Sequence, residues 1–170
     1  MSFIQSDKFE FYLSRMKNAL IRLSPLEKEI VRLWAQALQD ADKNVPEQKI
    51  DPNRSSFEIS YEGCGGEMAY AKQFRIYPNI ITRFGNAFDY DHYGYLIDVK
   101  TNHRNDGDLI VRPEKNVDAK RCDYYALMVG TVETGFRYAG FASASTVFQE
   151  SNLRDLKYGP QHVVPQKDLR

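Results

Sequence analysis

Phe88-Asp89-Tyr90-Asp91-His92-Tyr93-Gly94-Tyr95-Leu96-Ile97-Asp98-Val99-Lys100-Thr101 decides how this chain is read. An acid comes first, then a polar turn with glycine, then an apolar run that ends in Asp-x-Lys. Side chains alternate along a strand, so Asp98 and Lys100 are expected on one face of the sheet and Val99 on the other. A carboxylate beside an ammonium, with further acids just upstream, is the equipment that holds a divalent cation and positions a water.

Working outward, the strand-rich part of the chain lies around this stretch and after it. Ile80 to Phe84 and Asp89–Tyr90 have strand character, and Asp91-His92 with Gly94 marks a hairpin turn. Tyr95 to Thr101, Leu109 to Arg112, Tyr124 to Val129 and Phe136 to Ala142 are four further strands, with a turn at Thr134-Gly135 before the last. Ser143 to Gln149 is expected as a short helix and the tail from Tyr158 as largely irregular. Upstream, Phe57-Glu58-Ile59-Ser60-Tyr61 alternates and reads as a short strand or an extended lead-in. Gly63, Gly65 and Gly66 are expected to break the chain before a short helix from Glu67 to Phe74. That glycine cluster is too short for a nucleotide-binding loop.

Two helices are expected before this body. Phe9, Tyr12, Leu13, Met16, Leu20 and Leu23 recur at helical spacing from about Lys8 to Leu23. Ser24-Pro25-Leu26-Glu27 is a capping box with proline at the first helical position. Ile30, Val31, Trp34, Ala37 and Leu38 then form a buried stripe. The polar run from Gln39 to Asn53, with two prolines, reads as a linker. The organisation expected is therefore a helical pair with linker over 1–54 and a strand-rich core over 55–170, together one compact domain. The fold class is mixed α/β (α+β), a central mixed sheet flanked by helices.

Composition narrows the function classes. The chain has 23 basic and 23 acidic residues, so no global field draws it to nucleic acid or to a membrane surface. Cys64 and Cys122 have no metal-ligand spacing and suit free thiols in a reducing compartment. With no signal-peptide pattern and no apolar run of membrane-spanning length, a cytoplasmic protein is expected.

A glutamate-bearing helix, an aspartate at a hairpin and an Asp-x-Lys strand, in that order, resemble the PD-(D/E)XK nuclease superfamily. The likeness covers roughly Gly63 to Phe141. It extends to small phage-encoded members, through the strand Leu109-Ile110-Val111-Arg112 after the hairpin. The resemblance implies a restriction-endonuclease-like core and a Mg²⁺- or Mn²⁺-dependent nuclease acting on nucleic acid, most simply DNA. Carried over, Asp89 and Asp98 would be metal ligands and Glu67 an auxiliary ligand or orienter. Lys100 would position the attacking water or stabilise charge at phosphorus. The signature proline is absent, since Ala87-Phe88 precede Asp89, and Asp91 rivals Asp89 as the first acid.

Other residues suit nucleic-acid contact by their chemistry: Lys72 on the glutamate helix, Thr101, His103 and Arg104 after the Asp-x-Lys strand, and Arg112. Arg112 belongs to a basic group with Lys115, Lys120 and Arg121. His103 is also a candidate general base. A homodimer is consistent with a duplex break, which usually needs two active sites. The alternative is a nuclease-like fold without catalysis, used by a phage accessory protein to bind nucleic acid or a protein. An Asp98–Lys100 pair on a plain structural domain would be an exposed ion pair worth little.

Overall fold

The structure is a computed structural model that describes residues 3–41, 53–80, 88–113, 122–156 and 159–170, with the side chains of 3–5 excepted. In chain order the elements are α1 (Phe3–Ser14), β1 (Leu20–Ile21), α2 (Pro25–Ala41), α3 (Ser56–Phe74), β2 (Tyr90–His92), β3 (Tyr95–Asn102) and β4 (Leu109–Val111). There follow β5 (Tyr124–Thr131), β6 (Gly135–Ser143), α4 (Ala144–Val147), β7 (Leu153–Leu156) and β8 (Gly159–Val164). This is the mixed α/β class the sequence implies.

Five strands form one sheet in the order β1-β6-β5-β3-β2. β3 runs parallel to β5, with Asp98 opposite Tyr125 and Lys100 opposite Leu127. The other neighbours are antiparallel, and the β5–β6 register shifts between Leu127 and Met128. One face carries Tyr95, Ile97 and Val99 against α1, α2 and α3, in a core with Phe9, Leu13, Val31, Trp34, Met68 and Tyr70. The opposite face packs Leu127 and Val129 against Leu109, Val111 and Val164 of a second sheet, ordered β4-β8-β7.

The Ser24 capping box forms as its sequence dictates: the Ser24 amide donates to Glu27 Oε2 at 2.6 Å, and the Glu27 amide donates to Ser24 Oγ at 3.3 Å. α2 buries Val31, Trp34 and Ala35, with Ile30 and Leu38 packed alongside. The helix continues to Ala41, into the run expected as linker, whose remainder over 42–52 lies outside the described residues.

Four expectations are corrected. The first helix does not reach Leu23. It ends at Ser14, Asn18 takes a left-handed φ of 72°, and Leu20–Ile21 join the sheet edge opposite Arg137 and Phe136. The Phe57–Tyr61 segment is neither strand nor extended, because α3 begins at Ser56 and runs unbroken for 19 residues. Its N-terminus is a second capping box, with the Glu58 amide on Ser55 Oγ at 3.1 Å and the Ser55 amide on Glu58 Oε2 at 2.7 Å. Such a cap is worth about 1 kcal/mol.

The glycines accordingly break nothing, and Glu67 sits in the body of the helix rather than at its start. They are there for packing: a Cβ on Gly65 would stand 2.5 Å from Val132, and one on Gly66 would stand 2.0 Å from Thr101 Oγ1. The helix lies against the sheet more closely than any side chain at these positions would allow, which offsets the helical cost of glycine. Finally, the tail is not irregular. Leu153–Leu156 and Gly159–Val164 pair antiparallel as a hairpin. Of the expected strand at 80–84, Ile80 belongs to no strand and 81–84 lie outside the described residues, as do Lys115, Lys120 and Arg121.

Candidate active site

The hairpin turn falls at Tyr93-Gly94, with φ of 55° and 82°, which is the primed-turn geometry that joins two antiparallel strands tightly. Asp91 serves this turn: its Oδ1 accepts the Gly94 amide at 2.8 Å. His92, expected in the turn, is instead a buried strand residue. β2 pairs with β3 only from Tyr90 opposite Ile97 to His92 opposite Tyr95. Immediately before it, the Asp89 amide donates to the Ile97 carbonyl at 2.8 Å. Past Ile97 the ladder ends, and the Asp89 carboxylate takes the Val99 amide at 2.6 Å. The Asp89 carbonyl accepts from Asn79 Nδ2 at 2.8 Å.

Asp98 and Lys100 share the face predicted from alternation and form an ion pair through Asp98 Oδ2 and Lys100 Nζ. Asp98 is 4% exposed, so its charge is taken out of water, whereas the Lys100 side chain keeps 31% of its surface. The buried Asp98 Oδ2 has that ammonium and no aligned hydrogen bond besides. Burial alone would lower the Lys100 pKa, but Asp98, Asp89 and Glu67 outweigh it and raise it.

Glu67 comes from α3 on the other side. The helix is anchored there by Tyr90, whose hydroxyl donates to the Glu67 carbonyl at 2.9 Å. Burial pushes the Glu67 carboxyl well above the usual carboxylate range; the Asp89 and Asp98 charges push it further, and Lys100 opposes them. Three carboxylate charges thus act on one ammonium, and Glu67 holds a proton more readily than a free glutamate. The two thiols border the same cluster without reactivity of their own. Burial raises Cys64, with Glu67 adding to it. Cys122 is pushed up to about 12 by burial and then by Asp98, with its Sγ on the Tyr124 carbonyl at 3.1 Å.

The remaining candidates lie elsewhere. Lys72 pairs with Glu27 at 2.7 Å and donates to the Arg22 carbonyl at 3.0 Å, which joins α3 to the start of α2. Thr101 turns toward Gly66 with its hydroxyl buried and without a hydrogen bond. His103 is exposed and touches Arg54 at 3.4 Å, and Arg104 pairs with Asp106 at 3.1 Å. Arg112 is exposed just beyond β4. The structure therefore brings together Glu67, Asp89, Asp98 and Lys100 and leaves the five expected nucleic-acid contacts outside that cluster. Asn79 and Tyr90, which hold Asp89 and Glu67 in place, carry no signal in sequence, since the bonds use a side-chain tip and a backbone carbonyl far along the chain.

No protein family, curated protein or solved structure matches this chain. The site must be judged on its chemistry. Among the described residues, no three His, Cys, Asp or Glu side chains converge as a ready metal cage. The carboxylates present nonetheless fit a hard divalent cation. They are oxygen donors, burial and then the charges of Asp89 and Asp98 raise Glu67, and Mg²⁺ is ordinarily held by one or two carboxylates with its other positions filled by water.

Proposed function

We propose that this protein is a metal-dependent nuclease of PD-(D/E)XK type that hydrolyses phosphodiester bonds in DNA. The observation that carries the proposal is the Asp98–Lys100 pair at the point where β2 leaves β3, with Asp89 and Glu67 close enough to help raise the Lys100 pKa. Order and placement support a restriction-endonuclease-like core: a helix bearing the glutamate, an antiparallel hairpin bearing both aspartates, and a strand parallel to the Asp-x-Lys strand.

Asp89 and Asp98, with Glu67 beside them, would hold Mg²⁺ or Mn²⁺. Such an ion supplies a Lewis acid and lowers the pKa of a bound water. The chain's own residues do the rest. Asp98 holds the Lys100 ammonium at the partly exposed end of the pair, where it can donate to an attacking water or to a non-bridging phosphate oxygen. The raised carboxyl of Glu67 supplies a site that can take up or release a proton near the reacting centre. Two buried free thiols accord with a reducing cytoplasm. Among the described residues no helix is long and apolar enough to cross a membrane.

One observation favours a second reading, a binding module of this fold. Lys100 neutralises Asp98 directly, so the pair can satisfy itself without a cation. Incubation of purified protein with supercoiled plasmid in Mg²⁺, Mn²⁺ or EDTA separates the two. Metal-dependent nicking that is lost in Asp98→Asn and in Lys100→Met supports the nuclease. Folded protein that cuts in no metal, or variants that cut at the native rate, defeats it.

A further inference from the structure

A second polar site lies away from the carboxylates. An open groove of about 560 Å³ is formed where the end of β1's approach, the middle of β6 and the 3-10 turn Gln166–Asp168 meet. That volume is in the range of small-ligand sites. At its centre is Arg137. Register places it opposite Val129, which is opposite Asn102, so Arg137 stands on the same face of the main sheet as Asp98 and Lys100. Two strand spacings across and two residues along put its backbone about 12 Å from that of Lys100.

The groove's cations are oriented without being neutralised. Arg137 donates to Asn18 Oδ1 at 2.7 Å, to the Asn105 carbonyl at 3.0 Å and to Gln166 Oε1 at 3.2 Å, all uncharged acceptors. Lys17 donates to the Leu169 carbonyl at 2.7 Å, also uncharged. Lys167 projects from the same rim into solvent. Two carboxylates line the groove, but each is engaged. Asp106 is held by two bonds of 3.1 Å from Arg104, and Asp108 Oδ1 accepts the Gln166 amide at 2.9 Å. Three cations therefore face a net of little more than one free negative charge. A guanidinium fixed by neutral oxygens is pre-organised to receive an anion, because its orientation is set before the anion arrives.

We propose that this groove binds a phosphate-type oxyanion. The proposal does not depend on cleavage at Asp98. The phosphate could belong to a polynucleotide backbone or to a free phosphate compound, and the two are told apart by experiment. Binding is measured in EDTA, so that no cleavage intervenes. One arm uses pyrophosphate, followed by calorimetry and by thermal midpoint at matched ionic strength. The other uses a fluorescent single-stranded DNA oligonucleotide, followed by anisotropy. Lys167→Glu, at a solvent-exposed position, is the first variant, and Arg137→Gln is the second.

The expected result is pyrophosphate binding weakened about tenfold by Lys167→Glu, the effect of reversing one charge near a bound anion. Loss of oligonucleotide affinity in the same variant assigns the groove to backbone phosphates. Loss confined to pyrophosphate assigns it to a free anion. If neither probe binds, or if both bind the two variants as tightly as the native chain, the proposal is wrong. Because binding is read in EDTA and cleavage in Mg²⁺, failure of this site and failure of the nuclease reading are separate outcomes.

Discussion

The carboxylate of Asp89 accepts the backbone amide of Val99 at 2.6 Å. The acid that precedes one strand thereby completes the ladder of the next at the place where their pairing stops. It also sits beside the residue that separates Asp98 from Lys100. One side chain is both a structural cap and a member of the acidic cluster.

The two roles come apart by substitution. Asp89→Ala strands the Val99 amide and should cost about 1–2 kcal/mol of stability as well as cleavage. Asp89→Asn keeps an oxygen to accept that amide while removing the charge. It should lose cleavage with less than half the destabilisation, measured by urea unfolding beside the plasmid assay. Equal destabilisation by both would mean that the charge, rather than the hydrogen bond, holds the strand end.

Glu67 predicts a metal-free protein weakened by its own site. Its folded-state pKa lies above the unfolded value, so the native state binds more protons, and stability falls as pH rises from about 4.5 through the raised folded pKa. Glu67→Gln removes that dependence. In EDTA at pH 8 the variant should melt higher than the native chain, while its nuclease activity drops roughly 10²–10⁴-fold, the usual worth of a positioned acid or base. A lower melting point would show that the carboxylate is a net stabiliser and that the crowding argument fails.

His92 acts in the opposite sense. It is 1% exposed between Phe9, Phe74 and Tyr93, with Nδ1 at 3.1 Å from the Tyr70 hydroxyl. Burial pushes its pKa down to about 4. The unfolded chain takes up a proton near pH 6.5 and the folded one only near 4. The contribution is therefore complete above pH 6.5 and is lost as pH falls toward 4, to a total of about 3 kcal/mol. His92→Phe should flatten the pH dependence of the urea midpoint across that window. An unchanged slope would place the acid sensitivity elsewhere.

Gly66 and Thr101 are predicted to be coupled. Gly66→Ala brings a methyl group to 2.0 Å from Thr101 Oγ1 and should cost about 1–3 kcal/mol despite alanine's better helix propensity. Thr101→Ala removes a buried hydroxyl that has no hydrogen bond and should be nearly neutral. The double variant should recover most of the loss, and a double-mutant cycle reads the coupling directly. Additive effects would mean that the helix simply moves away from the sheet. In that case Glu67 would move with it, and activity would fall even where stability recovered.

Where the chain's local chemistry was unopposed, the sequence was legible. Ser24-Pro25-Leu26-Glu27 starts a helix because the cap is satisfied within four residues. Tyr95 to Asn102, Leu109 to Val111, Tyr124 to Thr131 and Gly135 to Ser143 become strands, each a short, largely apolar segment of strand length. The segment from Ser55 misled because two local signals conflicted. Ser55-Ser56-Phe57-Glu58 repeats the capping box of Ser24, yet the alternation of Phe57, Ile59 and Tyr61 and the three glycines argued against a helix. Glycine's helical cost is overridden here by the close approach to Val132 and Thr101, which is invisible until the sheet is in place.

By itself the sequence determined that Asp98 and Lys100 share a face, that an acid precedes the hairpin, and that the class is mixed α/β. These follow from periodicities of two and 3.6 residues, which are properties of a few consecutive residues. Only the tertiary structure decided that Asp91 serves the turn while Asp89 joins the cluster, that Glu67 reaches it from the body of a long helix, and that Lys72 is bound to Glu27 instead. Those outcomes depend on where a ladder ends and on how near a helix can lie to a sheet. Both are set by contacts between residues far apart in the chain, which local pattern does not encode.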